Sequence, residues 1–134
     1  MAKTDKRPGA GRPARLPAQV ERAIQAAEDK KAFDVIVLDL RKAAGFTDFF
    51  IICSGGNTRQ IHAIADGIVE ALGEEGVKPA HVEGYDRSEW ILLDYFDFVV
   101  HVFAQETRMF YDLERLWGNA TVISHQSSVA SQNR

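Results

Sequence analysis

Residues 90–117 read WILLDYFDFVVHVFAQETRMFYDLERLW, and this stretch decides the fold. Two short apolar runs, 90–93 and 98–103, are separated by four residues, a pattern that predicts an antiparallel β-hairpin. If Tyr95 and Phe96 are the two turn residues, Asp94 lies opposite Asp97. The further pairs predicted by this register are Leu92 with Val99 and Trp90 with His101.

Side chains alternate between the two faces of a strand, so this register sorts the hairpin residues into two sets. The wholly apolar set is expected to lie on the core; its members are Ile91, Leu93, Phe98, Val100 and Val102. The second set is expected to be left bare for a partner, although a helix could cover it instead; its members are Trp90, Leu92, Val99, His101 and Phe103. Two-residue turns favour Gly or Asn, so a wider turn that shifts the register remains open.

The length and composition indicate one intracellular domain. A chain of 134 residues has the size of a single domain with its own core. It contains no apolar run of the roughly 20 residues that cross a membrane, and its N-terminus lacks the apolar stretch of a secretory signal. The single cysteine, Cys53, lies in an apolar run and is expected to be buried. We therefore expect a cytoplasmic protein.

The charges are unevenly distributed along the chain. Residues 1–16 hold five basic side chains and one acid, and we expect them to form a disordered basic arm. Residues 17–124 hold 10 basic and 18 acidic side chains, a formal charge of −8. Such a body should repel phosphate backbones and attract a basic partner. The predicted domain spans residues 17–123, and residues 124–134 are expected to be a disordered tail.

The remaining patterns predict helices interleaved with strands. Pro17 can open a helix whose apolar stripe is Val20, Ala23, Ile24 and Ala27. Strands are predicted at 35–40 and 48–54, followed by a helix that Asn57 caps, a minor strand near Val82, the hairpin, and a last helix from Gln105 to Gly118. The order α-β-β-α-β-β-β-α predicts a single α/β (α+β) domain with a mixed sheet of about five strands and helices packed on it.

The turn at Ser54-Gly55-Gly56-Asn57 is the one candidate for a ligand site. A helix N-terminus can bind phosphate, but neither the P-loop nor the dinucleotide fingerprint is present, so an ordinary helix cap is the favoured interpretation. The alternative function is a nucleotide-binding or nucleotidyl-transferring enzyme that uses the Gly55-Gly56 turn with Asp94 and Asp97. The four histidines, at 62, 81, 101 and 125, lack metal-ligand spacing, so no metal or cofactor is expected.

Aromatic and arginine residues of the kind that dominate protein interfaces cluster in and after the hairpin. Trp90 follows a charged stretch and is expected near the surface, whereas Phe110 and Trp117 are expected to seal the core. For His101 two interpretations remain open, a core histidine and a polar anchor within a binding face. Asp94 and Asp97 are expected to be solvated turn acids that could contact a basic partner.

Several motifs of the chain resemble one family. They are W-I-L-L-D-Y at 90–95, V-V-H-V-F at 99–103, R-x-F-Y-D-L-E-R-L-W at 108–117, D-V-I-V-L-D-L at 34–40, T-D-F-F-I-I-C-S-G at 47–55 and V-E-G at 82–84. In this order they resemble the Iojap-related ribosomal silencing factor family, RsfS, over residues 18–120. The family usually has glycine in its D-Y-G-D turn, where this chain has Phe96, and this puts the turn geometry in question.

The resemblance implies a role without catalysis. It implies binding to the large-subunit ribosomal protein L-fourteen, obstruction of subunit joining, lowered translation under nutrient limitation, and a link to large-subunit assembly. It also implies a homodimer and a nucleotidyltransferase-like fold without the catalytic residues.

The predicted protein-binding surface combines the second hairpin face with the following helix: Trp90, Leu92, Asp94, Tyr95, His101, Phe103, Arg108 and Tyr111. A third hypothesis, RNA binding through the arm, predicts that deletion of residues 1–16 abolishes ribosome association; we expect only a small change.

Overall fold

The computed structural model describes residues 16–124, which form one mixed sheet with helices on it. The strands are β1 (Phe33–Asp39), β2 (Phe49–Gly55), β3 (His81–Glu83), β4 (Trp90–Asp94), β5 (Phe98–Ala104) and β6 (Thr121–Ser124). The helices are α1 (Ala18–Asp29), α2 (Thr58–Gly73), α3 (Gln105–Tyr111) and α4 (Leu113–Leu116). The predicted mixed α/β architecture is confirmed.

The sheet has six strands in the order β3-β4-β5-β2-β1-β6, one more than predicted. Only β2 and β5 pair in parallel; the other neighbours are antiparallel. The missed strand, β6, is four residues long and pairs at the edge with β1, so its conformation depends on a strand more than 80 positions away in the sequence. A local pattern could not have indicated it.

One residue of the predicted arm and one of the predicted tail take part in the fold. Leu16, assigned to the arm, is buried in the core, and Ser124, assigned to the tail, pairs with Ile36. The rest of the predicted arm and tail, residues 1–15 and 125–134, lies outside the described residues.

The hairpin of β4 and β5 is confirmed, but its predicted register is wrong by two residues. Trp90 pairs with Phe103 and Asp94 with Val99, so the turn at residues 95–97 is wider than the two-residue turn predicted. Phe96 has a φ of 70° there, a left-handed conformation that glycine adopts at less cost. Because a shift of two residues preserves the alternation of side chains, the predicted sorting into two faces holds.

The inner face of the sheet packs on α1 and α2. All five residues of the predicted core set, 91, 93, 98, 100 and 102, are buried there together with the predicted α1 stripe. The Asn57 cap is also confirmed, since its Oδ1 accepts from the Gln60 backbone N–H at 2.8 Å. The side-chain oxygen of Gln60 accepts from the N–H of Gly56, one residue earlier than in a standard capping box.

The outer face of the sheet is covered by the segment after β5, and here the predicted single helix is wrong. Asp112, with a φ of 49°, separates α3 from α4 and turns the chain. Leu113 is therefore buried, whereas Met109, Phe110 and Leu116 are 77%, 80% and 71% exposed. Phe110 does not seal the core as predicted, because the turn at Asp112 changes which side of the segment faces the sheet.

Cys53 is buried, as predicted, and its burial raises the pKa of the thiol to about 12. Between residues 16 and 124, no helix combines the length and the apolar character needed to cross a membrane.

Candidate protein-binding surface

The outer face of the sheet, which points away from α1 and α2, is built from aligned rows of side chains. Pairing of the strands places Leu38, Phe50, Val99 and Asp94 in one row across β1, β2, β5 and β4. The next row contains Ile36, Ile52, His101 and Leu92. Trp90 lies opposite Phe103 in a third row. The sheet thus brings the second hairpin set and β2 onto one largely apolar surface.

Aromatic rings connect this surface from one side to the other. Phe46 lies 6.0 Å from Trp117, Trp117 lies 5.9 Å from Phe50, and Phe50 lies 4.4 Å from His101 between ring centroids. We call this surface the aromatic face: its floor is Phe50, Val99, His101 and Phe103, and its exposed or half-buried members are Phe46, Trp90, Leu92, Phe110, Tyr111 and Trp117.

The side of the aromatic face next to α3 is formed by three rings. Tyr111 lies 4.8 Å from Trp90 and 5.0 Å from Phe110, again between ring centroids. Tyr111 is 49% exposed and Trp90 is half-buried, so both present ring surface to solvent. This arrangement suits an interface, because Trp and Tyr bury a large area at low conformational cost.

His101 is a neutral core histidine, which decides between the two interpretations left open by the sequence. It is 3% exposed, and its Nδ1 accepts the indole N–H of Trp90 at 3.0 Å. The ring proton must therefore lie on Nε2, which finds no acceptor among residues 16–124. Burial lowers the pKa of His101 to about 3. Through this bond the histidine orients Trp90 at the surface.

The expectation of a bare hairpin face needs correction. His101 and Phe103 are buried beneath Trp90 of the same chain, and Phe103 shares a buried cluster with Leu113 of the segment after β5. Tyr95 is also buried, but on the inner face, where its ring stacks on Phe98 at 4.9 Å and burial raises its pKa to about 12. Of the eight predicted residues, those with accessible surface and no contact that anchors the fold are Leu92 and Tyr111. Trp90 and Asp94 are half-buried, and Oδ1 of Asp94 accepts the backbone N–H of Phe96 in the hairpin turn at 2.8 Å.

Arg108 is occupied within the chain. One of its terminal nitrogens, Nη1, donates to the carbonyl of Asp34 and to the hydroxyl of Ser54, each at 2.8 Å. Its Nε and Nη2 donate to the carboxylate of Glu114 at 3.1 and 2.9 Å. The guanidinium joins α3 and α4 to the ends of β1 and β2. This side chain positions the covering segment, and four of its five N–H donors are used within the chain.

The carboxylates needed by the enzymatic alternative lie far from its glycine turn. Gly55 pairs with Ala104 at one end of β5, whereas Asp94 pairs with Val99 near the other. Five strand residues separate these positions, or about 17 Å. The expectation that the two acids are close to the turn is therefore wrong. Residues 16–124 also contain no group of three or more His, Cys, Asp or Glu that could hold a metal ion.

Two exposed aromatic residues of this surface, Phe46 and Phe110, were not predicted from the sequence to belong to it. Phe46 follows Gly45 in a loop and is 61% exposed, although its ring contacts both Phe50 and Trp117. The sequence did contain a signal for the exposure of Phe46, because this large aromatic residue follows a loop glycine and lies outside any periodic segment. For Phe110 no local signal existed, because its exposure results from the turn at Asp112.

A family model described as "Ribosomal silencing factor during starvation" matches residues 13–134. The chain belongs to the RsfS family. It is 37% identical over 108 residues to "Ribosomal silencing factor RsfS" of Halalkalibacterium halodurans, an alignment that covers 81% of this chain and 92% of that protein. The RsfS resemblance of the sequence motifs is thereby confirmed.

Two further RsfS comparisons concern a solved structure and an organellar relative. A crystal structure of a Chromobacterium violaceum protein matches with a TM-score of 0.73 and 39% identity, covering 75% of this chain and 83% of that one. The mouse protein "Mitochondrial assembly of ribosomal large subunit protein 1" is 29% identical over 101 residues, which are 73% of this chain and 44% of that protein. The fold of this RsfS-family chain therefore has an experimentally determined counterpart.

Proposed function

We propose that this chain binds the large ribosomal subunit through protein L-fourteen and sterically blocks joining of the small subunit. Translation is then repressed under nutrient limitation, and the same attachment can serve late assembly of the large subunit. With this partner, the proposed site of action is the cytoplasm. The observation that carries the proposal is the aromatic face, an exposed apolar surface of the type that marks protein-binding sites.

Membership of the RsfS family and the names of the relatives support this function. The Halalkalibacterium halodurans relative is named a ribosomal silencing factor, and the name of the mouse relative refers to assembly of the ribosomal large subunit. Both names describe action on ribosomes and neither describes a chemical reaction. We accordingly propose that the chain acts by occupying a surface and that it makes or breaks no bond.

The structure narrows the set of residues proposed to touch the partner. Trp90, Leu92, Asp94 and Tyr111 would form the contact, with Phe110 as an addition. Three other predicted residues, His101, Phe103 and Arg108, would act indirectly by holding this surface in place. The fourth, Tyr95, is buried on the inner face and is not part of the proposed contact. The formal charge of −8 over residues 17–124 suits a basic ribosomal protein, and Asp94 could pair with one of its cations.

Two substitutions on the aromatic face test the proposal. Tyr111→Ala removes a half-exposed ring, and Leu92→Lys adds a cation facing the basic partner. If either position is a hot spot worth about 2 kcal/mol, binding to purified large subunits becomes about 30-fold weaker. Binding is measured by pelleting subunits through sucrose over a range of protein concentrations.

A matched control for these variants is Val82→Ala, because Val82 is 41% exposed but pairs with Leu93 on the inner side of the sheet. We expect its binding to equal that of the unchanged protein. Equal binding by the control and both test variants would exclude the aromatic face as the contact. Trp90→Ala is less informative, since it also removes the hydrogen bond to His101.

We further propose that the free chain forms a homodimer. Met109, Phe110 and Leu116 support this, because three large apolar side chains more than 70% exposed on one short segment favour association. Sedimentation equilibrium should show a dimer that Phe110→Ser weakens. The control Phe96→Ser changes a ring at the hairpin tip that is 70% exposed, against 80% for Phe110, and should leave the dimer intact. A monomer at all concentrations of the unchanged chain would contradict this proposal.

A further inference from the structure

A groove lies on the inner face of the sheet, between α2 and the edge strand β3. It has a volume of about 480 Å³, and apolar side chains line it, among them Val69 of α2, Val82 of β3 and Leu93 of β4. Val82 pairs with Leu93 and so faces the same side of the sheet. Because α2 packs on β2, β4 and β5, Val82 at the edge remains 41% exposed. We call this depression the edge groove.

Tyr85 lines the edge groove and is held against α2 by two contacts. Its hydroxyl donates to Oδ1 of Asp66 at 2.8 Å, and its ring lies 4.4 Å from that of His62 between ring centroids. Gly84 makes the turn before it with a φ of 79°, and a Cβ at this position would collide with the carbonyl oxygen of Trp90. The shape of the edge groove is therefore fixed by contacts within the chain.

The charged side chains that line the edge groove are both acidic. Asp66 and Glu70 are one turn apart on α2, so their side chains lie on one side of the helix about 6 Å apart. Both residues are exposed, and no Lys or Arg among residues 16–124 lines the groove. Like charges at this spacing repel each other, and within the same range Glu70 takes part in no ion pair. A cationic partner would remove this repulsion.

The strand beside the edge groove can pair with a further strand. Within the described residues β3 has one neighbour, the antiparallel β4, so its other side presents backbone N–H and C=O groups without a strand partner. A strand added there would direct every second side chain over the groove, about 7 Å apart. This spacing is close to the separation of Asp66 and Glu70, so basic residues at positions i and i+2 would meet both carboxylates.

We propose that the edge groove binds an extended basic segment of a second protein, which pairs with β3 and places two Lys or Arg side chains beside Asp66 and Glu70. The aliphatic stems of these side chains cover Val69, Val82 and Leu93, while their charged groups reach the two carboxylates. The edge groove and the aromatic face lie on opposite faces of the sheet. This partner therefore binds independently of the proposed contact with the large ribosomal subunit.

Two heptapeptides of equal composition and charge test the alternation. In acetyl-TTRTRTT-amide both arginines face one side of an extended strand, whereas in acetyl-TTTRRTT-amide they face opposite sides and only one can reach the groove. Each is titrated into the isotope-labelled full-length chain and followed by NMR. The first peptide should shift the amide signals of β3 and of α2 near Glu70. It should bind about fivefold more tightly than the second, the gain from one exposed ion pair of about 1 kcal/mol.

Two charge-matched variants of the chain test the site itself. Glu70→Gln and Glu106→Gln each remove one exposed helix carboxylate, but Glu106 lies on α3, away from the edge groove. Only Glu70→Gln should weaken binding of the alternating peptide, again by about fivefold. The proposal is overturned if β3 signals do not shift, if the two peptides bind equally, or if the two variants behave alike.

Two other occupants of the edge groove would also overturn the proposal, and the same NMR signals identify them. If deletion of residues 1–15 alone shifts the signals of β3, the chain's own N-terminal segment occupies the groove. If those signals shift on dilution of the unchanged protein, a second copy of the chain occupies it. We expect neither change.

Discussion

Arg108→Ala lowers the free energy of unfolding by about 3 kcal/mol, the loss that is typical when one partner of a largely buried ion pair is removed. The guanidinium makes four hydrogen bonds that join α3 and α4 to β1 and β2. Its removal leaves the Ser54 hydroxyl, which is buried, without this donor, and leaves Glu114 without its cation. Urea unfolding followed by circular dichroism measures the change.

Arg115→Ala is the control for this prediction, because Arg115 lies on the same segment and is exposed. Arg115→Ala is expected to change the free energy of unfolding by no more than about 0.5 kcal/mol. Arg108→Lys should rescue little, since an ammonium group cannot form the forked contact with Glu114. If Arg108→Ala is as stable as the unchanged protein, then the covering segment is held by Leu113 and Trp117 alone and Arg108 is free to serve a partner.

Acid destabilises this protein through His101. The unfolded chain has an ordinary histidine pKa near 6.5, whereas burial lowers the pKa of His101 in the folded chain to about 3. Between these two pKa values the unfolded state binds one more proton than the folded state. The contribution of His101 to the free energy of unfolding is therefore fully present above the unfolded-state pKa and is lost as the pH falls toward the folded-state pKa. The expected slope is about 1.4 kcal/mol per pH unit.

His101→Gln isolates this contribution. The glutamine oxygen can still accept the Trp90 indole N–H, but the side chain does not titrate. Between pH 7 and pH 5 the unchanged protein should therefore lose about 2 kcal/mol more stability than the variant. The test compares the loss of unfolding free energy in the two proteins, because carboxylates make both of them less stable in acid. Parallel stability curves would mean that His101 is protonated within the fold or solvated.

The covering segment links these two predictions to ribosome binding. Arg108 holds it against the sheet, and His101 orients Trp90, whose ring contacts Tyr111 on the same segment. Both buried side chains thus act on the geometry of the proposed contact without touching a partner. Variants at these positions are expected to weaken subunit binding indirectly, in proportion to the disorder that they introduce at Trp90 and Tyr111.

Much of the candidate surface could be predicted, but its accessibility could not. The hairpin placed Trp90, Leu92, His101 and Phe103 on one face, and that grouping holds despite the shift of two residues in register. Whether the face is open depends on Phe50 from β2 and on Leu113 and Trp117 from the last segment. These residues are distant in sequence, so the hairpin pattern contains no information about them.

The amino-acid sequence by itself determined the order of the elements from α1 to β5, the Asn57 cap, the two sets of hairpin side chains and the acidic charge of the body, because each follows from periodicity, local hydrogen bonding or composition. Only the tertiary structure decided the edge strand β6, the burial of His101 and Tyr95, the hydrogen bonds of Arg108 to Asp34, Ser54 and Glu114, and the exposure of Phe110. These features depend on contacts between segments that are distant in the sequence or on the left-handed conformation of Asp112, which redirects the segment over the sheet.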